Sequence, residues 1–345
     1  MSKILNQRES EVTRYLPRPP ITSIIHRPAK PSEWINIADP VCLSSCIACT
    51  NPRCMKYDES ELTATDKRLD AFPIDLTSNV CVTGAIQWKK GDPHPTVLES
   101  NCINCGICAA RCPVGAIAIH SGSARVYFDT NNLVKATTAE QSDVLSKFSR
   151  VYHAGYMHAP SPENIEAVYK KIESLHTDAR FPNIITRNLL LALGEKAMIR
   201  RRGDVYLRID SLAEFNDRIA IFEIEFHSDS LESPRAILDD IAVLSSRYGI
   251  PKEQIRPFIV SYEFPNIRTE YWRVIKDIQK VLNVSIESIS LGALLIMVWL
   301  YLGSIQPHCF YADVDNASIT KTMEIAMDAS LEKIKYTRAI LNPIK

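Results

Sequence analysis

Apolar residues in the second half of the chain recur with two different periods, which predict alternating helices and strands. Apolar residues every three or four positions predict helices over three segments, 182–194, 233–249 and 269–282. Alternation or a short apolar run predicts strands at 197–201, 204–210, 219–226 and 257–264. The order is helix, three strands, helix, strand, helix. It predicts an α/β domain with a mixed central sheet.

The run SLGALLIMVWLYLG at 290–303 contains no charged residue. As a helix it would extend about 21 Å, which is short of the hydrocarbon core of a bilayer, about 30 Å thick. We therefore predict a buried helix, the alternative being a membrane anchor. Residues 122–180 are predicted to form a helical connector, because Ser161 and Pro162 are typical of a helix start and precede apolar residues at helical spacing.

Composition, charge and the N-terminal segment limit the protein classes and the cellular compartment that we predict. Hydrophobic residues make up 46% of the 345 residues, so the chain can bury a sizeable core. Lys and Arg total 40, as do Asp and Glu, and the net charge of zero argues against a broadly basic nucleic-acid-binding surface. Residues 1–39 are polar and Pro-rich and lack a signal-peptide core, so we predict a cytoplasmic protein. In that reducing compartment the ten cysteines are better explained as metal ligands than as disulfides.

Four of these cysteines lie in NCINCGICAARCPVGAIAIH, residues 101–120, with the spacing C-x2-C-x2-C-x3-C-P. They are Cys102, Cys105, Cys108 and Cys112. The motif resembles that of bacterial-type ferredoxins, α+β proteins that hold [4Fe–4S] clusters. Thiolates are soft ligands that suit such clusters. A zinc ribbon is disfavoured, because its paired knuckles lack the third close cysteine and the proline.

A degenerate copy of the motif lies upstream. CVTGAI at 81–86 parallels CPVGAI at 112–117, so Cys81 corresponds to the fourth cysteine of a first motif. In CLSSCIACTNPRC, Cys46 and Cys49 have the expected spacing, and their companion is Cys54 or Cys42, of which we favour Cys54. An insertion of about 26 residues then precedes Cys81, where the ferredoxin pattern has three.

The ferredoxin resemblance covers residues 40–121 and implies two [4Fe–4S] clusters with crossed ligation. One cluster would be held by Cys102, Cys105, Cys108 and Cys81. The other would be held by Cys46, Cys49, Cys54 and Cys112. The alternative is a single cluster, with the other cysteines buried as small apolar residues.

Two acidic residues stand on neighbouring predicted strands of the α/β domain. Asp210 ends the strand 204–210, and Glu223 lies in FEIEF of the next strand. The order of elements and these acids resemble the PD-(D/E)xK nuclease superfamily, which includes many restriction endonucleases. The resemblance implies a restriction-endonuclease-like domain over 181–285, continued by the C-terminal apolar helix to 345, in which Asp210 and Glu223 bind Mg²⁺ or Mn²⁺. Hard oxygen ligands suit such a cation, which neutralises charge and activates water in phosphodiester hydrolysis.

Glu225 departs from the superfamily pattern, which usually has Lys at this position. We count it with Asp210 and Glu223 as a candidate catalytic residue, since it could add a metal ligand. The alternative is that Glu223 and Glu225 form the solvent face of an edge strand and Asp210 lies in a turn. Against it, the two glutamates share their face with Ile219 and Ile221, and buried paired carboxylates need a partner.

Three functions are compatible with the sequence. We predict an iron–sulfur-containing, metal-dependent endonuclease acting on DNA, and the resemblance implies a setting in restriction or defence against foreign DNA. The basic cluster of Lys196 and residues 200–202 is a candidate phosphate contact, or else a solvated charge run. The first alternative is an electron-transfer protein with a separate redox partner; the chain has no G-x-G-x-x-G dinucleotide fingerprint. The second alternative is a redox-switched nucleic-acid-binding protein with an inactive nuclease fold.

Overall fold

The computed structural model describes residues 52–89, 95–111, 117–120, 123–126, 162–215, 218–227, 231–300 and 334–344, with 321, 324 and 331. The chain divides into two compact units. The first unit comprises Met1–Lys56, Asn79–His176 and Val298–Tyr301, and the second comprises Tyr57–Ser78, Thr177–Met297 and Leu302–Lys345. The chain therefore leaves the first unit after Lys56 and returns to it at Asn79.

Helices and strands are numbered here in chain order. The helices are α1 (Glu59–Leu62), α2 (Ile107–Ala110), α3 (Ile165–Ser174), α4 (Phe181–Ala192), α5 (Ser233–Tyr248), α6 (Glu270–Leu282) and α7 (Leu291–Trp299). The strands are β1 (Ile86–Gln87), β2 (Thr96–Val97), β3 (Ile117–His120), β4 (Ser123–Val126), β5 (Lys196–Ile199), β6 (Ser211–Phe215), β7 (Arg218–Glu225), β8 (Ile255–Ser261) and β9 (Glu287–Ser290).

The first unit contains two small antiparallel strand pairs, β1 with β2 and β3 with β4. Ile86 opens β1 and Ile117 opens β3, and both are buried in one core with Cys54, Cys102 and Ala109. The two C-x-x-G-A-I repeats of the sequence therefore end at equivalent places, each at the start of a strand. The predicted helical stripe of the connector is also present, since Ile165, Val168 and Ile172 are the buried face of α3.

The second unit is built on a five-stranded mixed sheet of order β5-β6-β7-β8-β9. The pairs from β5 to β7 are antiparallel, and those from β7 to β9 are parallel. Helix α5 packs against β7 and β8, and α4 packs against β5, β6 and β7. Strand β8 is buried along its whole length, as expected of a strand with parallel neighbours on both sides. The predicted α/β domain with a mixed sheet is confirmed.

The segment Tyr57–Ser78 forms part of the second unit, although it lies between two cysteines of the first. Arg187 of α4, which is fully buried, donates to the backbone carbonyls of Asp75 at 3.3 Å and Thr77 at 2.7 Å. The Arg180 guanidinium pairs with the Asp75 carboxylate, and the Asp75 amide donates to the Ile199 carbonyl at 2.9 Å. Burial alone would raise the pKa of Asp75, but hydrogen bonds from Thr77 and the charge of Arg180 lower it. The insertion between Cys54 and Cys81 is therefore an edge of the second unit.

The predicted strand 204–210 is wrong. Residues 201–210 lack regular strand structure, and β6 begins at Ser211. Alternation was misleading because Leu207 and Ile209 are buried as in a strand, whereas Val205 is 80% exposed. Asp210 therefore lies directly before β6 and not at the end of a strand.

The other predicted elements of this unit lie close to their predicted bounds. Helix α5 ends at Tyr248 and is followed by Gly249, whose φ of +64° is the left-handed conformation that favours glycine after a helix. The apolar run 290–303 contains α7, whose residues are buried. Among the described residues, the structure has no helix long and apolar enough to cross a membrane.

Candidate functional sites

Four thiols of the first unit surround one pocket. They belong to Cys81, Cys102, Cys105 and Cys108, and the remaining wall is mainly apolar. This is the set that the ferredoxin resemblance assigned to one cluster, and the structure brings all four cysteines together. Of the other predicted ligands, Cys46, Cys49 and Cys112 lie outside the described residues, as does Cys42.

Two left-handed residues shape the cysteine loop. Asn104 has φ +61° and Gly106 has φ +76°, so the backbone turns on both sides of Cys105. Glycine and asparagine tolerate this conformation better than other residues. The turns allow Cys102 and Cys105 to line the same pocket as Cys108, which lies on the short helix α2.

Hydrogen bonds hold the backbone and the Cys81 sulfur of this pocket. The Ala85 amide donates to Cys81 Sγ at 3.2 Å. The Lys171 ammonium donates to the Cys102 carbonyl at 3.0 Å, and the Trp299 indole N–H donates to the Cys105 carbonyl at 2.7 Å. Such bonds fix the loop and, where they reach sulfur, tune the potential of an iron–sulfur cluster.

The pocket disfavours free thiolates. Burial raises the pKa of the Cys105 and Cys108 thiols, and the charges of neighbouring cysteines raise it further. Thiolates are nevertheless the form that binds metal, so a cation must compensate their charge. An iron–sulfur cluster supplies that compensation, and its binding would release protons.

Cys54 is 3% exposed and packs beside these cysteines in the core that contains Cys102 and Ile86. Its charge contributes to the raised pKa of Cys108. Its predicted partners lie outside the described residues, so its place in a second cluster stays a prediction.

The second candidate site lies beside β7, between the residue that precedes β6 and helix α5, which packs against β7. The register pairs Ser211 with Phe222, so Asp210, which directly precedes β6, lies next to Glu223 and Ile224 of β7. Asp210 is held on both oxygens: Asn183 Nδ2 donates to Oδ1 at 3.0 Å, and the Ile224 amide donates to Oδ2 at 3.1 Å. The Asp210 carboxylate is therefore fixed in orientation before any ligand binds.

Asp240 is a further acidic residue of this site that was not predicted from the sequence. It lies on α5, is 3% exposed, and its Oδ2 has no hydrogen-bond partner among the described residues. A buried carboxylate oxygen without a partner is costly and calls for a ligand. Its position could have been recognised, because it follows Ile237 by three residues and precedes Leu244 by four, on the buried stripe of the helix.

The three carboxyls act on one another electrostatically. Burial, followed by the charges of Asp210, Asp240 and Glu225, raises the pKa of Glu223 to about 8. Burial and then the charges of Asp210 and Asp239 raise the pKa of Asp240 to about 7, although Arg200 and Arg208 oppose the shift. Burial also raises the pKa of Asp210, against its two hydrogen bonds. The positive charge near these three carboxyls therefore does not compensate the negative charge that they would carry when ionised.

Glu225 lies at the rim of this cluster. Its Oε1 accepts from the His227 amide at 2.7 Å and lies 3.4 Å from His227 Nδ1. Its charge contributes to the raised pKa of both Glu223 and Asp210. Ser261 stands beside Glu225 in the parallel register, and its buried hydroxyl has no hydrogen-bond partner among the described residues. Glu223 and Glu225 are part-buried, which disfavours the alternative of a solvent face.

The donor chemistry of each site fits a different cofactor. Carboxylate oxygens suit Mg²⁺ or Mn²⁺, and the unpartnered Asp240 oxygen offers a ligand atom. Within the described ranges, no three Cys, His, Asp or Glu side chains converge on a single ion position. Mg²⁺ does not require such a cage, because it keeps several waters and usually takes one or two protein carboxylates. A [4Fe–4S] cluster spreads its four cysteine ligands over several iron atoms.

The cysteine segment also matches a known family. Residues 95–118 match the 4Fe-4S binding domain, which indicates that this segment binds a [4Fe–4S] cluster. No curated protein matches the chain by sequence. The solved structure of the restriction endonuclease FokI is similar to 55% of this chain and 36% of that chain, with 13% identity and a TM-score of 0.24.

Proposed function

We propose that this chain is an iron–sulfur protein whose second unit is a metal-dependent nuclease, with DNA as its substrate. The observation that carries the nuclease assignment is the cluster of part-buried Asp210 and Glu223 with buried Asp240, in which one Asp240 oxygen has no partner in the described structure. Buried carboxylates with raised pKa values in one place mark candidate functional sites, because folding alone gains little from them.

Each carboxylate has a distinct part in the proposed site. Asp210, held by Asn183 and the Ile224 amide, is the pre-oriented ligand. Glu223 lies next to it and Asp240 approaches from α5, and both would give up a proton on binding a cation. When bound, Mg²⁺ or Mn²⁺ would neutralise phosphate charge and lower the pKa of a water molecule. Glu225 at the rim keeps the region acidic and is a candidate further ligand.

The first unit is proposed to hold two [4Fe–4S] clusters. Cys81, Cys102, Cys105 and Cys108 would hold the first, which the shared pocket supports. The second would take Cys46, Cys49, Cys54 and Cys112. We propose that the clusters have a structural or redox-sensing role beside the nuclease site.

Electron transfer to a redox partner is the second candidate function, favoured by the match of residues 95–118 to the 4Fe-4S binding domain. It assigns the cysteine pocket the same cofactor but gives the carboxylate cluster no part. A redox-switched nucleic-acid-binding protein lies between the two candidates, since it binds the polymer without cleaving it.

The test is cleavage of single- and double-stranded DNA and RNA by anaerobically purified full-length protein with Mg²⁺ or Mn²⁺. We expect DNA cleavage that Asp210→Asn and Glu223→Gln reduce by roughly two orders of magnitude or more, the effect of removing a preorganised charge-stabilising group. Asp239→Asn is the matched control, because Asp239 precedes Asp240 on α5 but is exposed. Absorbance near 400 nm reports whether each variant retains its clusters.

Two outcomes would overturn the proposal. Unchanged cleavage by Glu223→Gln would remove the assigned site. Failure of intact, cluster-loaded protein to cleave any of the four substrates would favour electron transfer, or binding without cleavage if the polymer is still retained.

A further inference from the structure

The turn that replaces the predicted strand before β6 presents an exposed aromatic residue among arginines. Val205 and Tyr206 are 80% and 84% exposed, although Leu207 next to them is 4% exposed. Arg201, Arg202 and Arg208 are exposed as well. We call residues 200–208 the arginine loop. Its composition, four arginines and one aspartate, is strongly basic in a chain of zero net charge.

The backbone of the arginine loop is held in place. The Asp204 amide donates to the Arg201 carbonyl at 3.3 Å, and Gly203 between them has φ +80°, as a type II turn requires. Asp204 Oδ1 then accepts from the Tyr206 amide at 3.0 Å and from the Leu207 amide at 3.2 Å. The loop is therefore a formed turn that points two apolar side chains into solvent.

Two arginine side chains also donate hydrogen bonds to backbone carbonyls of the arginine loop. Arg247 of α5 donates to the Tyr206 carbonyl at 2.9 Å, and the Arg200 guanidinium donates to the Asp204 carbonyl. Buried Leu207 and Ile209 anchor the segment on its far side. The Tyr206 ring is thus presented on a fixed backbone, and binding would lose less conformational entropy than it would with a mobile loop.

The arginine loop lies beside the carboxylate cluster. Asp210 follows Tyr206 by four positions, so their Cα atoms are at most about 14 Å apart. Arg200 and Arg208 both lower the pKa of Asp240, which shows that their charges reach the cluster. A ligand that contacted the exposed ring would therefore lie next to the proposed cleavage centre.

We propose that the arginine loop binds an unpaired strand of nucleic acid, with one base stacked on Tyr206 and the neighbouring phosphates paired with Arg201 and Arg202. Aromatic rings accept the face of any base, but only when that base is not stacked inside a duplex. Arginine forms bidentate bonds with phosphate, and its charge displaces counterions. This inference rests on the proposed function, which supplies nucleic acid as the substrate class. It adds that the substrate is single-stranded where it contacts the arginine loop.

The test is equilibrium binding of a fluorescein-labelled oligothymidylate and of a duplex of equal length to cluster-loaded protein in EDTA, where cleavage does not occur. Tyr206→Ala should weaken binding of the single strand between about 5-fold and about 150-fold, the range for one stacked base. The duplex should be affected much less, and Tyr206→Phe should retain the affinity of the wild type. Val281→Ala is the control for an exposed apolar side chain, since Val281 is 77% exposed on α6.

The arginines give an independent readout through salt. Arg201→Ala combined with Arg202→Ala should weaken binding and reduce the slope of log affinity against log salt by up to about 1.4 for the single strand. The exposed pair Arg268→Ala and Arg273→Ala provides a matched loss of charge elsewhere in the second unit.

Different experimental results would overturn this inference and the proposed function. Unchanged single-strand affinity of Tyr206→Ala, an equal loss on both ligands, or no binding of either ligand by the wild type would overturn it. Binding that depends on Tyr206 in a protein that never cleaves would support it while overturning the nuclease assignment.

Discussion

The cysteine pocket and the carboxylate cluster both bring acidic groups close together away from water. They differ in the ligand atoms and in the parts of the chain that supply them. Both bury acidic groups whose pKa values are raised, chiefly by burial. The pocket takes three of its four thiols from residues 102–108, whereas the cluster takes each carboxylate from a different place on the second unit. Soft sulfur in a tight loop suits an iron–sulfur cluster, and hard oxygen beside two neighbouring strands suits Mg²⁺ or Mn²⁺.

Removing one thiol should have the largest effect and should separate the two sites. We expect Cys108→Ser to lose the first cluster, seen as a fall in iron and sulfide content and in absorbance near 400 nm, because the pocket would lack its fourth ligand. Mn²⁺ binding by the second unit should persist. Cys309→Ser is the control, since Cys309 lies outside both motifs. Full iron content in Cys108→Ser would contradict the assignment.

Removing the unpartnered carboxylate tests the oxygen site. Asp240→Asn should weaken Mn²⁺ binding by roughly 10-fold or more, measured by titration, because a charged ligand is lost. Without metal the same variant should be more stable than the wild type at pH 8 by about 1–2 kcal/mol, because an uncompensated buried charge is removed. Equal Mn²⁺ affinity would exclude Asp240 from the site. Asp239→Asn should leave Mn²⁺ affinity nearly unchanged and should raise stability less than Asp240→Asn does, because the exposed Asp239 contributes only its charge to the raised pKa of Asp240.

Without metal, the carboxylate cluster should make the free energy of unfolding depend on pH. The pKa of Glu223 is raised from 4.5 to about 8 and that of Asp240 from 3.8 to about 7, so the folded chain binds these protons more tightly than the unfolded chain does. Their contribution is therefore fully present below about pH 4 and is lost as the pH rises to about 8. Unfolding in EDTA by denaturant should show this decline, and Glu223→Gln with Asp240→Asn should flatten it. If the free energy of unfolding of the wild type instead rose over this pH range, the raised pKa values of Glu223 and Asp240 would be contradicted.

The smallest effect concerns the charge beside the pocket. Lys171→Met removes the ammonium that donates to the Cys102 carbonyl, so the reduced cluster should be less stabilised. We expect the reduction potential to fall by a few tens of millivolts, equivalent to about 1 kcal/mol or less for a part-buried charge. Lys170→Met is the matched control, because Lys170 is exposed on the same helix. An unchanged potential would assign Lys171 a purely structural role.

The contrast between the sites also explains what the sequence allowed us to predict. Cys81 was found from a six-residue repeat, because a cluster loop is local and its spacing is set by the cluster itself. Asp210 and Glu223 were named from strand order, even though β6 begins one residue after Asp210. Asp240 was missed because its role depends on which face of α5 meets the sheet, and that face is set by tertiary packing.

The insertion after Cys54 shows a further limit of sequence reasoning. Its length was evident, but its destination depends on contacts more than a hundred residues away, such as those of Arg187 with Asp75 and Thr77. Local patterns carry no information on such pairings. A loop and an edge segment of another unit have the same appearance in the sequence.

The position of Tyr57–Ser78 has a consequence for synthesis on the ribosome. This segment belongs to the second unit, but its partners begin only at Thr177, after about a hundred further residues. At roughly 5–20 residues per second, the segment waits about 5–20 s for the helix and strand that it joins. During that interval Cys54 and Cys81 on its two sides are already available to iron. The order of translation therefore presents the cysteines from Cys54 to Cys108 before the second unit, and the segment Val298–Tyr301 of the first unit, have been synthesised.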